Sequence, residues 1–240
     1  MKFFIMGDSW GVGEFCYNGQ VLESVPNTGI DYHLRKLGHT VTNISAGSAG
    51  NFGQLRNAYW TLNENKDYDY IIWFITESLR DIIEICIEDP EEQQTQFPQF
   101  EMSSNFKKVL KYIDEQNYQY AQKLYNQYQI PFVVVEGQSP LNKDVDSLGF
   151  VKHSIPWLQE LLELDFPPPV NSFFSWQKLQ TILKHYAITE KDFITQNLDE
   201  LDRSEIIINL AKSSGCFPDN GHPSSICFKQ LAYRIQELVR

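Results

Sequence analysis

The 240-residue sequence is poor in positive charge. Lys and Arg together number 20 against 31 Asp and Glu, so the formal net charge is −11. A shortage of cations this large disfavours binding to phosphate backbones or to anionic lipid, and no cluster of Lys and Arg offsets it locally. We therefore expect neither nucleic acid nor a membrane surface as a partner.

Cysteine is also scarce, and the histidines are scattered. The four cysteines are Cys16, Cys86, Cys216 and Cys227. They lack the paired CxxC spacing of a zinc site, and four cysteines in a chain of this length do not form a disulfide scaffold, so free thiols are expected. Four of the histidines have no second ligand at metal spacing: His33, His39, His153 and His185. The sequence predicts no metal and no cofactor.

Long hydrophobic runs are missing as well. The apolar run at residues 3–6 is too short for the core of a signal peptide or for a membrane span. We expect a soluble, cytoplasmic protein. Hydrophobic side chains make up 42% of the sequence and aromatic ones 14%, which is enough for one substantial core. A single domain over residues 1–240 is therefore expected.

Alternating sequence patterns predict an α/β fold. Runs rich in β-branched and aromatic residues predict strands at residues 3–6, 40–45, 70–76 and 131–136. Helical periodicity appears between them at residues 30–37, 52–62 and 106–128, and again at 227–239. This alternation favours a parallel sheet with helices on both faces. Residues 150–214 are predicted to form a mostly helical insertion or lid, with one short strand at 205–209.

A serine follows the first predicted strand directly, in the string GDSWG at residues 7–11. Open α/β sheets place their sites at the carboxyl ends of the strands, so Ser9 is a candidate nucleophile. The string also satisfies the GxSxG elbow of α/β-hydrolases, but several strands precede the serine in that fold and only one fits here. We expect Asp8 to cap the turn through its side chain.

A base for this serine is found near the other end of the chain. Residues 217–223 read FPDNGHP, just before the last predicted helix. A serine hydroxyl needs a base, and the base needs an orienting carboxylate. Asp219 precedes His222 by three residues in a loop constrained by proline and glycine, so one segment can supply both groups.

The GDS block after the first strand and the DxxHP block before the last helix resemble the first and fifth blocks of the GDSL/SGNH hydrolases. The resemblance implies a three-layer α/β/α, flavodoxin-like sandwich, the SGNH-hydrolase fold. It implies Ser9 as nucleophile, His222 as general base and Asp219 as its orienter. It also implies an oxyanion hole built from the serine N–H, a glycine N–H of a second block and an asparagine of a third.

The second and third blocks match less closely. The second falls in NISAGSAGN at residues 43–51, where Gly47 is the first choice of donor and Gly50 follows. The third block has GxND in the family, whereas residues 74–81 read FITESLRD and lack the asparagine. Asn51 is the best substitute donor because its loop should border Ser9, and Arg80 is the second.

Other residues beside the nucleophile are candidates for substrate binding: Trp10, Thr76, Glu77 and Arg80. Trp10 and Trp73 fit a place in the core equally well. For Glu77, Arg80 and Asp81 an ion-pair network at the strand end is the favoured interpretation.

These features predict hydrolysis of a carboxylic ester through an acyl-enzyme. By the resemblance, the substrate is an O-acetylated sugar, a short acyl ester or a thioester, and the sequence does not choose among them or indicate an oligomeric state. The alternative is a non-catalytic binding protein that keeps the fold, for which the missing asparagine is the main argument. Retention of Ser9, His222 and Asp219 argues against it.

Overall fold

The computed structural model describes residues 1–13, 15–18, 21–76, 78, 80–81, 106–137, 141, 144–157 and 222–240. The strands are β1 (Lys2–Met6), β2 (Phe15–Asn18), β3 (Val21–Ser24), β4 (Thr40–Asn43), β5 (Tyr70–Ile75), β6 (Phe132–Glu136) and β7 (Val151–Ile155). The helices are α1 (Ser9–Val12), α2 (Ile30–Lys36), α3 (Asn51–Glu64), α4 (Phe106–Tyr128) and α5 (Ser225–Leu238). None of the helices in this part of the chain is long and apolar enough to cross a bilayer.

Five of these strands form one parallel sheet in the order β4-β1-β5-β6-β7. Numbered along the chain, these strands lie in the order second, first, third, fourth, fifth. This is the flavodoxin-like order of doubly wound folds. β1 lies next to the central strand, β5. The predicted α/β class and parallel sheet are confirmed.

Helices cover both faces of the sheet because alternate side chains of its strands point to opposite sides. Ile72 and Phe74 of β5 pack with α2 and α5 in one core cluster. Ile71 and Trp73 pack with α3 and α4 in a second cluster on the other face. All five side chains of β6 are buried, as expected of a strand covered on both faces. The result is a three-layer α/β/α sandwich.

A glycine forms the turn between α2 and β4. Gly38 has a φ of 86°, in the left-handed region that glycine adopts without steric cost. The N–H groups of Gly38 and His39 donate to the carbonyls of Arg35 and Leu34. These two bonds are the Schellman pattern that ends many helices.

The prediction of mostly helical structure over 150–214 is wrong at its start. Val151–Ile155 is β7, an edge strand paired in parallel with β6, and a 3₁₀ turn at Val145–Ser147 precedes it. Because β7 lies at the edge of the sheet, it does not need a continuous apolar run. The sequence of β7, VKHSI, mixes polar with apolar residues. Residues 158–214 lie outside the described part of the chain.

A second element was also not predicted. β2 and β3 pair in antiparallel fashion as a separate two-stranded ribbon directly after α1. Its strands have only four residues each, too few for a clear alternation of polar and apolar positions. The two intervening residues are Gly19 and Gln20, and a glycine at the first position of a two-residue hairpin loop was the available signal.

Trp157, inside the segment predicted as an insertion, is a central core residue. Its side chain is buried, and its ring makes T-shaped contacts with Trp10 and Phe74 at centroid distances of 5.7 and 5.8 Å. Phe228 of α5 packs on it at 5.2 Å. One side chain therefore joins α1, β5 and α5.

Replacing Trp157 by alanine should lower the free energy of unfolding by about 3–5 kcal/mol, because it leaves a cavity among three packed elements. The matched control is Trp60→Ala, since the Trp60 side chain is 64% exposed. That change should cost about 0.5 kcal/mol or less. Urea unfolding followed by circular dichroism measures both. Equal losses in the two variants would contradict the central position of Trp157.

Candidate active site

The sheet order reverses between β1 and β5, and this position is where ligands bind in open α/β sheets. The loops that follow β1 and β5 leave toward opposite faces, so a crevice opens between them at the carboxyl edge. Buried polar side chains of the described residues concentrate at this edge or contact it: Asp8, Ser9, Asn51, Gln54, Thr76, Ser78, Asp81, Asn117, Glu136 and His222. An apolar core ends here in a polar layer.

Ser9 is the first residue of α1 and lies at this position. Asp8 is the N-cap of the helix, and its Oδ1 accepts a hydrogen bond from the Trp10 N–H at 2.9 Å. The predicted capping role of Asp8 is confirmed. The Ser9 side chain is 7% exposed, and within the described residues its hydroxyl forms no hydrogen bond, including with His222. Catalytic hydrogen bonds are often long before substrate binds.

His222 lies on the α1 side of the sheet. Its ring stacks on Phe15, the first residue of β2, with 4.4 Å between centroids and 34° between ring planes. α5 begins at Ser225, and its Phe228 packs on Trp157, which contacts Trp10. Two independent contacts therefore join the segment of His222 to the neighbourhood of Ser9. Asp219 lies outside the described residues.

The loop after β4 packs against the turn that carries Ser9. The Ala46 N–H donates to the Gly7 carbonyl at 3.0 Å, and the Asn43 side-chain amide donates to the Gly11 carbonyl at 2.9 Å. A Cβ on Gly11 would lie 2.3 Å from the Ser45 hydroxyl, so this close approach requires glycine. The second-block segment thus borders the turn of Ser9, as the sequence predicted.

The two candidate glycines of this loop differ in accessibility. Gly47 and Ser48 are the central residues of a turn closed by a bond from the Ala49 N–H to the Ala46 carbonyl. Gly47 is exposed, and a Cβ there would contact nothing within 4 Å. Gly50 is buried, and a Cβ there would lie 2.4 Å from Asp81 Oδ1. Gly47 is therefore the more accessible of the two.

Asn51, the predicted substitute donor, is bonded to the end of β5. Its Nδ2 donates to the Thr76 carbonyl at 2.7 Å, and its Oδ1 accepts from the Thr76 N–H at 3.0 Å. The residue is 1% exposed. The Asn51 amide thus pairs with the Thr76 backbone much as a neighbouring strand would.

A buried carboxylate joins the ends of β1 and β5. Asp8 is fully buried, and its Oδ2 accepts a hydrogen bond from the Thr76 hydroxyl at 2.8 Å. Arg80 Nη1 lies 3.4 Å from the same oxygen. The charge of Arg80 therefore compensates Asp8 across the edge, while the expected ion-pair network of Glu77, Arg80 and Asp81 stays a prediction. Glu77 lies outside the described residues.

The helical turn around Ser78, Arg80 and Asp81 is tied to its neighbours. The Ser78 hydroxyl donates to Asp114 of α4, and burial raises the pKa of the Asp114 carboxyl. Asp81 accepts hydrogen bonds from the Phe52 N–H at 2.8 Å and from Asn117 Nδ2 at 2.7 Å. Sequence analysis missed Asp114 and Asn117, although two polar residues three apart on one helix can share a face.

Two further predictions concern tryptophan and metal. Trp10 is fully buried within the core cluster of α2 and α5, as is Trp73 in the opposite cluster. Within the described ranges, no three His, Cys, Asp or Glu residues are arranged to hold a metal ion. Cys227 is buried, and its Sγ lies 3.5 Å from the Ser224 hydroxyl.

No family model and no curated protein matches the sequence. Solved structures similar to the chain include TesA, at 11% identity and a TM-score of 0.46, with 100% of this chain and 98% of that chain covered. A carbohydrate acetylesterase family member from Sinorhizobium meliloti gives the same four values. The psychrotrophic esterase EstA from Pseudoalteromonas sp., inhibited by monoethylphosphonate, is 11% identical with a TM-score of 0.40, over 78% of this chain and 93% of that chain. Likeness at this level carries no argument about activity, and the α/β class follows from the sheet itself.

Proposed function

We propose that the protein is a serine hydrolase that cleaves carboxylic esters through an acyl-enzyme. Ser9 is the nucleophile, His222 the general base and Asp219 the residue that orients it, as the resemblance to GDSL/SGNH hydrolases implies. The observation that carries the proposal is the position of Ser9: it begins a helix at the point where the sheet order reverses, with His222 on the same side of the sheet.

Each half of the reaction, acylation and deacylation, requires two proton transfers. The Ser9 oxygen attacks the ester carbonyl while His222 accepts its proton, and the imidazolium then returns that proton to the departing alcohol. Water, activated by the same imidazole, releases the acid and regenerates Ser9. Asp8, bonded to the Trp10 N–H, keeps the turn in one conformation, so that the hydroxyl does not need to be ordered during the reaction.

The oxyanion that forms on the carbonyl needs donors already in place. The N–H groups of Ser9 and Gly47 are the proposed pair. The accessibility of Gly47 and the bond that ties its loop to Gly7 favour it over Gly50, where the side-chain direction is filled by Asp81. The substrate is a small-molecule or carbohydrate ester.

One observation favours a second candidate, a non-catalytic binding protein. The third-block asparagine is absent, and the amide of Asn51, the predicted substitute, is bonded to the Thr76 backbone. A pocket with two oxyanion donors still binds a carbonyl compound, and recognition needs no nucleophile. The two functions are separated by the reactivity of Ser9.

A fluorophosphonate probe should modify the wild-type protein stoichiometrically at Ser9. Ser9→Ala should abolish the modification, and His222→Ala should slow it by about 10²- to 10⁴-fold, the usual contribution of a general base. Ser147→Ala is the matched control, because Ser147 is exposed in the 3₁₀ turn before β7, at the opposite edge of the sheet. Intact-mass and peptide mass spectrometry measure all four proteins. An unmodified Ser9 in the wild type would favour the binding protein.

The turn at Gly47 allows a direct test of the oxyanion donor. Ser48 has a φ of 62°, as is typical of the second central residue of a type II turn, and proline is common at the first. Gly47→Pro should therefore keep the turn while removing its N–H, and ester turnover should fall about 10²- to 10³-fold. Gly47→Ala keeps the N–H and has open space for its Cβ, so it should retain turnover. Equal turnover in the two variants would exclude Gly47 as a donor.

Asn51→Ala should lower stability more than reactivity. The change leaves the Thr76 N–H and carbonyl without their partner, at about 1–3 kcal/mol for each buried group. The fluorophosphonate rate at Ser9 should stay near the wild-type value, whereas loss of an oxyanion donor would lower it about 10²- to 10³-fold. Asn57→Ala, at an exposed position of the same helix, controls for loss of an amide. A slow but fully stable Asn51→Ala variant would identify Asn51 as the donor.

A further inference from the structure

We propose that Arg80 is a positioning residue, which holds the Ser9 turn in place through the Asp8 carboxylate. This inference rests on the proposed function, because its readout is the reactivity of Ser9. It assigns a role to the segment that lacks the third-block asparagine. In that role the segment after β5 holds Ser9 in place through Asp8 and does not donate a hydrogen bond to the oxyanion.

The first step of the argument is the burial of Asp8. A carboxylate that is fully buried is stable only when hydrogen bonds and a counter-charge replace its water. Oδ1 accepts from the Trp10 N–H, while Oδ2 accepts from the Thr76 hydroxyl and pairs with Arg80 Nη1 at 3.4 Å. Arg80 supplies the positive charge in this set of contacts.

The second step is the place of Asp8 in the chain. It directly precedes Ser9, and the bond from the Trp10 N–H to Oδ1 sets the direction in which α1 begins. On the other side of Ser9, the Trp10 ring is held against Trp157. If the Asp8 carboxylate rotated away, the start of α1 would lose its cap and the Ser9 hydroxyl would lose its fixed direction.

The third step is that Arg80 is itself held. Its side chain is only 20% exposed. Ser78 is bonded to Asp114, and Asp81 is bonded to Asn117 and to the Phe52 N–H, so the backbone on both sides of Arg80 is tied to α3 and α4. The planar guanidinium keeps its direction better than a flexible ammonium would. The contact between Arg80 and Asp8 thus transmits the position of two packed helices to the nucleophile.

The test compares Arg80→Ala with Arg35→Ala, using hydrolysis of 4-nitrophenyl acetate. Arg35 also pairs with an aspartate, Asp31, at 2.7 Å, but at a more exposed position within α2 and away from the site. Displacement of a catalytic group by about 1 Å can cost about 10²-fold in rate, so kcat of Arg80→Ala should fall by about that factor. KM should stay within about twofold, because no substrate contact is lost. Methylguanidinium should restore kcat in Arg80→Ala and leave Arg35→Ala unchanged.

Several outcomes would overturn the inference. An unchanged kcat in Arg80→Ala would do so, and so would a raised KM at constant kcat, which would indicate contact between Arg80 and the substrate. A loss of kcat that methylguanidinium does not restore would indicate a folding defect instead.

If Arg80→Ala does not fold, Arg80→Lys replaces it, since it keeps the charge beside Asp8. This variant should fold and lose kcat, and wild-type kcat would overturn the inference. Failure of the proposed function has a different signature. Absence of both turnover and Ser9 modification in the wild type would overturn the function and the inference together, whereas an active wild type with equally active Arg80 variants would overturn the positioning role alone.

Discussion

β1 is hydrogen bonded in parallel to β4 on one side and to β5 on the other, and four of its five side chains are fully covered. Parallel neighbours cannot be joined by a tight turn, so each connection must cross a face of the sheet, and the two faces are filled by helices. The chain crosses one face of the sheet after β1, through α2, and the other face after β5, through α4. The loops that follow β1 and β5 therefore diverge. The position of Ser9 is a consequence of this pairing.

The carboxyl edge shows how the polar groups of those loops are accommodated. Buried polar side chains that follow the strands have partners on neighbouring segments: Asp8 with Thr76, Asn51 with the Thr76 backbone, and Asp81 with Asn117 of α4. Leaving any of these groups unpaired would cost more than the net gain of an ordinary hydrogen bond. The edge therefore behaves as one connected polar layer, which suits a site that must hold its geometry without substrate.

Much of this arrangement was predictable from the sequence. The strands β1, β5 and β6 have both faces covered, so their continuous apolar runs are conspicuous, and the predicted helix at 106–128 matches α4. Gly38 marked the end of α2. By contrast, β7 lies at the edge of the sheet and mixes polar with apolar residues. The strands of the β2–β3 ribbon are too short to show an alternation of polar and apolar residues.

The pairings at the site were harder to predict. Arg80 contacts Asp8 because β1 and β5 are neighbours in register, with Met6 beside Trp73. A sequence places Arg80 next to Asp81 and Glu77, but says little about a carboxylate that tertiary structure brings to it. The same holds for Phe15, whose contact with His222 depends on a hairpin that was not predicted. The motifs select Ser9 and His222 as candidates, whereas the contacts that hold these residues in place arise from tertiary packing.

The two strands at the edges of the sheet determine how readily it pairs with a strand of another protein molecule. β4 reads TVTN and β7 reads VKHSI, and within the described part of the chain each pairs with a strand on one side only. Both are short, and the exposed Lys152 lies within β7. A short edge strand is a poor template for an added strand, and a charge on it makes it a poorer one, so growth of the sheet by strand pairing between molecules is disfavoured. The mixed composition that made β7 hard to recognise thus also protects the fold against aggregation.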